Sequence, residues 1–237
     1  IDAPKHYSTT LSIDNVDFST IEGRPADQAP GRAVQVEVYD NFEMVSSSAT
    51  GTAGVLLQNS LDAATVSVRF NTFTNTSGAC ASDAYERCEV AHALQLNDAT
   101  NLVSSEVIGN RVNQDYALTI VEDLFNFHHV SASQPLIVMA NLFHGFATPG
   151  IPELPQDEKF EHFGGGALAG DGGEGGNIRM SYNTAINIPG YSFAIAGGSN
   201  NWITHNTAIA CKDLSVPYAL DVGRDVAIYV IDFYDYV

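Results

Sequence analysis

Basic residues are scarce in this chain. Ten Lys and Arg stand against 28 Asp and Glu in 237 residues, a formal net charge of −18, and only Lys5, Lys159 and Lys212 are lysines. A nucleic-acid binder needs a basic surface, so that class is excluded. The same imbalance opposes unaided binding of an anionic polysaccharide. High salt would screen the repulsion, since the Debye length falls to about 3 Å at 1 M. Bound Ca²⁺ would instead bridge carboxylates of protein and ligand. Without either, the charge reads as a soluble surface suited to a saline medium. No apolar run approaches the length of a membrane-spanning helix. No signal peptide is visible and the chain starts at Ile1, as expected of a mature secreted product or a trimmed chain. Cysteines number three, with no Cys/His spacing of the zinc-binding kind. A helical stripe is missing from the regular part of the chain.

What is present is a phrase. An apolar residue, two spacers, Asn, one spacer and usually another apolar residue recur five times. The copies are Val68-Arg-Phe-Asn71-Thr-Phe73, Val107-Ile-Gly-Asn110-Arg-Val112, Val138-Met-Ala-Asn141-Leu-Phe143, Met180-Ser-Tyr-Asn183-Thr-Ala185 and Ile203-Thr-His-Asn206-Thr-Ala208. The last two asparagines are 23 residues apart, about one coil of short strands and tight turns. A second strand signal precedes the phrase. Leu57, Leu96 and Ala169 each lie 14 residues before their Asn. Phe193-Ala-Ile-Ala and Ala219-Leu-Asp-Val look like the same strand in later coils. Alternation of apolar and polar residues predicts half-buried strands. Asn tolerates left-handed backbone geometry at a sharp turn and bonds its own backbone. Stacked coils would align the asparagines into a hydrogen-bonded ladder. The alternative is a set of unrelated Asn turns in a β-sandwich; five copies with matched flanks favour the stack.

On these five phrases and their paired strands, residues 50 to 237 resemble the right-handed parallel β-helix superfamily, the pectin-lyase-like proteins. Weaker echoes stand at Val38-Tyr-Asp-Asn41 and Leu11-Ser-Ile-Asp-Asn15. The expected fold is all-β: a single-domain right-handed parallel β-helix solenoid of about eight coils with inserted loops. That superfamily includes polysaccharide lyases, glycoside hydrolases, uronate epimerases, phage tailspikes and non-catalytic surface proteins. The resemblance implies a secreted or cell-surface protein that acts on an acidic polysaccharide by β-elimination, with glycoside hydrolysis as the runner-up. The Asp-Asp and Gly-His-Gly signatures of the hydrolases are absent, as is the full pectate-lyase signature. No catalytic residue is therefore carried over by motif. The missing signatures and few lysines favour the alternative, a non-catalytic surface, adhesion or structural module that belongs to a larger assembly.

The Asn-to-Asn intervals are 39, 31, 42 and 23, so the longer coils carry insertions. They are expected near residues 76–91, 122–135 and 144–176, after an N-terminal strand and loop segment at 1–33. Insertions of a solenoid tend to gather on one face, often the binding face. The apolar strand Ala227–Val237 has no polar cap after it, so an oligomer partner or a continuation of the chain is expected to cover it.

Candidate residues follow from type and position. Lys159 sits among Asp157, Glu158, Glu161 and His162 and is a candidate lyase base, although acidic neighbours raise a lysine's proton affinity. His144, close after Asn141, and Arg111, directly after Asn110, are the other catalytic candidates; Arg111 would neutralise a uronate or pair with Asp115. His162 and His129 are candidate substrate contacts. His128 and His129 are adjacent, so on a strand they face opposite ways and at most one joins a site. His205 reads as structural. Trp202, Tyr191 and Tyr182 would stack on sugar rings or fill the core. Asp171 and Glu174, in Gly-Asp-Gly-Gly-Glu-Gly, offer hard oxygen ligands to Ca²⁺. Cys80 and Cys88 flank a seven-residue loop and would close it as a disulfide in an oxidising compartment or stay free thiols in a reducing one. Cys211 reads as a buried apolar residue. The Gly run from 164 to 176 lacks the context of a phosphate-binding loop. The expected partner is a polysaccharide or surface glycan.

Overall fold

The computed structural model describes residues 10–19, 31–80, 88–89, 91–114, 121–145, 165–188 and 191–209. Ala219–Val222 and Ala227–Val237 lie outside them. No helix occurs among the described residues; the chain is short strands joined by corners. Three parallel sheets run the length of the described stack. Sheet 1 stacks Thr10–Asp14, Tyr39–Val45, Ser60–Arg69, Glu106–Ile108, Ser131–Met139, Gly176–Ser181 and Trp202–Thr204. Sheet 2 stacks Asp17–Ser19, Ser48–Thr50, Thr72–Thr74, Arg111–Asn113, Leu142–His144, Thr184–Ile186 and Thr207–Ile209. Sheet 3 stacks Val34–Val36, Val55–Gln58, Leu94–Asn97, Asp123–His128, Gly165–Asp171 and Phe193–Ile195. The chain visits sheet 3, then sheet 1, then sheet 2, and moves on one strand per circuit. This is a parallel β-helix with seven windings among the described residues.

Period-2 alternation sends one set of side chains inward from each sheet. Val66 and Val68 point in from sheet 1, Phe73 and Val112 from sheet 2, Leu94 and Leu96 from sheet 3, and all are fully buried. Register places Leu57, Leu96, Phe127, Ala169 and Ile195 on one another. Down the centre, Phe73, Phe125, Phe143 and Phe193 meet edge to face, with successive ring centroids 6.4, 4.8 and 6.0 Å apart. Each such side chain contributes roughly 1.5–3 kcal/mol by leaving water.

The asparagines form the expected column at the corner between sheets 1 and 2. Oδ1 of Asn110 accepts both the backbone N–H and the Nδ2 of Asn71 at 3.0 Å. Asn141 does the same for Asn110, Asn183 for Asn141 and Asn206 for Asn183, at 2.8–2.9 Å. Each Nδ2 also donates to a carbonyl of the winding before, as Asn110 does to Val68 at 2.9 Å. Ser47 continues the column, its N–H donating to Asn71 Oδ1 at 2.9 Å and its Oγ accepting the N–H of Val16 at 3.0 Å.

Two expectations about this corner are corrected. The left-handed residue is not the ladder asparagine but the one before it: Asn15, Ser46, Phe70, Gly109, Ala140, Tyr182 and His205 all have φ between 50° and 68°. The ladder asparagine is needed for its side chain, which satisfies a backbone turned inward and cut off from water. Asn41, read as an echo of the phrase, sits inside a sheet 1 strand; Ser47 holds its rung, and Asn15 holds the left-handed place. The segment 122–135 also differs from its expectation. It is not an inserted loop, because Asp123–His128 and Ser131–Met139 are regular strands of sheets 3 and 1. Within 76–91, Ala79–Cys80 and Cys88–Glu89 pair as an antiparallel ribbon in which Cys80 lies opposite Cys88.

Candidate active site and polar face

The sheet 3 strands share a rung position two residues before their first inward side chain. Counting back from Val34, Val55, Leu94, Phe125, Ala167 and Phe193, that position holds Arg32, Ala53, His92, Asp123, Gly165 and Tyr191. Ionisable and polar groups therefore pile up along one edge of the sheet. Gly165 has no side chain, and the Tyr191 ring occupies the place: a Cβ there would lie 1.9 Å from Tyr191 Cε2. The tyrosine crosses that gap and donates its hydroxyl to Asp123 Oδ1 in a short hydrogen bond. The same Oδ1 accepts Gly165 N–H at 3.0 Å. On the other oxygen, Asp123 Oδ2 accepts from Asn126 Nδ2 at 2.9 Å, and Asn126 Nδ2 also donates to Asp171 Oδ2 at 2.9 Å. One amide thus holds two carboxylates.

Asp123, Asn126 and His92 are almost fully buried. His92 Nδ1 bonds the Asp123 carbonyl at 3.0 Å, which makes it the protonated nitrogen and leaves Nε2 directed at Glu122 Oε2, 3.6 Å away. Burial lowers the His92 pKa below its ordinary value; the Asp123 charge and the carbonyl bond oppose this, and Arg32 adds to it. Glu122 is half-exposed, with 54% of its side chain open to water. Its pKa is raised, first by partial burial and then by the Asp123 and Asp171 charges. Burial and the adjacent Asp123 carboxylate push Tyr191 above the usual phenol range. A carboxyl of raised and an imidazole of lowered proton affinity side by side is an arrangement that acid–base catalysts use.

The network continues across the face. Asp171 Oδ1 accepts Gly172 N–H at 2.9 Å. Gly172 lies against the imidazoles of His128 and His129, whose ring centroids are 3.9 Å apart, and His129 Nδ1 reaches Asp98 Oδ1 at 3.1 Å. Both histidines therefore join one cluster, against the expectation that at most one would. The strand ends at His128, and His129 turns into the left-handed region at φ 49°, which breaks the alternation.

The candidates chosen from sequence divide. His129, Tyr191 and Asp171 belong to this polar face. Arg111 is exposed at the start of a sheet 2 strand, and His144 is half-buried at the end of the next, so the catalytic candidates among the described residues stand on a different sheet. Lys159 and His162 lie outside the described residues. Glu174 is exposed beyond Asp171, whose oxygens already serve Asn126 and Gly172. Trp202 and Tyr182 are exposed on the sheet 1 side; Trp202 Nε1 donates to Asn200 Oδ1 at 2.8 Å, and Arg179 lies 6.0 Å above its ring. Tyr182 stacks on His205 at 5.1 Å, so His205 takes part in a surface pair.

His92, Glu122, Asp123, Asn126 and Asp98 escaped the sequence reading. Aligning the sheet 3 strands and counting back two residues finds His92 and Asp123. No family model, curated protein or solved structure matches this chain.

Proposed function

We propose that this is a secreted or cell-surface carbohydrate-active protein and that the outer face of sheet 3 processes an acidic polysaccharide by β-elimination. The observation that carries the reading is Glu122, an accessible carboxyl of raised proton affinity backed by His92. A carboxylate of raised pKa is a stronger base than an ordinary one. Glu122 would remove the proton on the carbon next to the uronate carboxylate. The electron pair forms the new carbon–carbon double bond, the glycosidic oxygen departs, and the proton returns to that oxygen. Ca²⁺ at the uronate carboxylate would offset repulsion by Asp123 and Asp171.

The test is incubation with alginate, pectate and glycosaminoglycans, with and without Ca²⁺, read by the ultraviolet absorbance of unsaturated products. Glu122→Gln is expected to cut the rate about 10²- to 10⁴-fold. New reducing ends without unsaturation would make the reaction hydrolysis, with Glu122 as the acid. No product on any substrate would remove the enzyme reading.

A second reading rests on the exposed rings of Phe70, Tyr182 and Trp202. Such rings stack on sugars, and the molecule would then be a non-catalytic glycan-binding or adhesion module. Tyr182→Ala with Trp202→Ala would abolish glycan binding in that case and leave binding through the sheet 3 face intact. The opposition of Cys80 and Cys88 across an antiparallel ribbon supports a disulfide there, which intact mass before and after reduction would detect.

A further inference from the structure

We propose that Asp98, His128 and His129 form a binding site for a divalent transition-metal ion of the zinc class. One ligand atom from each residue can be chosen so that all three lie within 4.8 Å of one another. Two neighbouring windings supply them at the corner where sheet 3 ends. Asp98 and His129 hold equivalent corner positions, with φ 51° and 49°, so their side chains rise side by side one winding apart. The backbone fixes both: Asp98 N–H donates to the His128 carbonyl at 3.1 Å, and His129 N–H to the Asp171 carbonyl at 3.0 Å.

Two orphaned buried atoms single out a ligand over a simple His–Asp pair. His128 Nδ1 is buried without a hydrogen-bond partner, and so is Oδ1 of the adjacent Asn97. An orphaned buried polar atom is costly, and an ion or its bound water would satisfy it. Gly172 also makes room where any side chain would intrude. A Cβ there would come 2.3 Å from His129 Nε2 and 3.1 Å from His128 Nε2, so only a glycine lets both imidazoles approach this corner.

The donor set selects the metal. Two imidazoles and one carboxylate suit Zn²⁺, Co²⁺, Ni²⁺ or Cu²⁺, whereas Ca²⁺ and Mg²⁺ prefer all-oxygen shells. Three protein ligands leave a coordination position for water. The strongly negative chain favours cation uptake in general. This site is separate from the Ca²⁺ invoked at a uronate, and it stands whether or not Glu122 acts on a glycan.

The experiment is calorimetric titration of the chelator-treated full chain with ZnCl₂, then with CoCl₂ followed by visible absorption. One ion per chain is expected, with a Co²⁺ spectrum of low coordination number. His128→Gln and Asp98→Asn are each expected to weaken Zn²⁺ binding by about 10- to 100-fold or more, while His205→Gln binds as wild type. Wild type that takes up no Zn²⁺, or variants that bind it equally, would overturn the site. Should a variant fail to fold, ring ¹⁵N resonances of the wild type decide. Zn²⁺ must then move two of the seven histidines, and shifts spread over all of them or over none refute the assignment.

Discussion

Asn110 carries more bonds than any other side chain need carry in an ordinary turn. Its Oδ1 accepts two N–H groups of Asn71, and its Nδ2 donates to Val68 O and Asn141 Oδ1. Asn110→Ala leaves these groups buried and unmet, and each such loss is worth about 1–3 kcal/mol. Urea unfolding is expected to show a loss of at least about 3 kcal/mol. Asn110→Asp would be no rescue, since it replaces the donor with an acceptor facing Val68 O. The residue before the asparagine behaves in the opposite way. Ala140 is exposed at φ 55°, where a Cβ costs roughly 1–2 kcal/mol. Ala140→Gly is expected to raise the unfolding free energy slightly, by at most about 1 kcal/mol; a clear loss would refute the strain argument.

His92 gives a pH prediction at the same scale. Its folded pKa lies below the unfolded value of 6.5, so the unfolded chain takes up a proton that the fold refuses. The stability His92 contributes is complete above that value and is lost as pH falls through it toward the folded pKa. Glu122 has the opposite sign: its raised pKa favours the fold at low pH, and that gain fades as pH rises through the carboxylate range. Thermal melts of wild type should fall more steeply from about pH 7.5 to about 5.5 than those of His92→Gln, which cannot charge. Parallel slopes would sink this assignment.

Among the elements, the Gly165–Asp171 strand is fitted to its neighbour by a missing side chain. Gly165→Ala places a methyl group inside the Tyr191 ring and forces the hydroxyl off Asp123. A cost of about 1–3 kcal/mol is expected. Tyr191→Phe removes the same hydrogen bond, so the double variant should cost less than the sum of the two. Strict additivity would show that the ring and the glycine are uncoupled. This strand also shows where sequence reading succeeded and where it stopped. Ala169 was found from its distance to Asn183, as were Leu57 and Leu96 from their asparagines. Phe127 stands at the same distance from Asn141, but the long interval around it suggested an insertion, so a strand and its polar outer row were missed. Apolar periodicity reports what faces the core. It says little about Asp123 or Glu122, whose meaning depends on the winding above and below. The pairing of His128 with His129 was hidden for a different reason: a left-handed residue at the strand end overturns alternation, and although His is enriched at such positions, periodicity does not place it there.

For the whole molecule, a stack in which each winding touches only its neighbours has stability that adds along its length. The windings that hold Phe73, Val112 and Phe143 bury their inward residues completely, whereas inward residues at the edges of the described stack, Leu11, Ile13 and Ile203, are only partly covered. Among the described strands, hydrogen exchange is therefore expected to be slowest at the amides of Asn71, Asn110 and Asn141 and fastest in Thr10–Asp14 and Thr207–Ile209. Uniform protection along the axis would mean that the molecule opens as one cooperative block.

The left-handed corner has a consequence for evolution and for design. Because the amide column secures the turn, the residue ahead of each asparagine differs in type from winding to winding: the row runs Phe70, Gly109, Ala140, Tyr182, His205. Such a row is a ruler with about 4.8 Å between marks, the distance between adjacent strands. Bulky and polar groups stand at some marks, while Gly109 leaves room for the Phe70 ring beside it, and any partner that engages several marks at once must share their pitch.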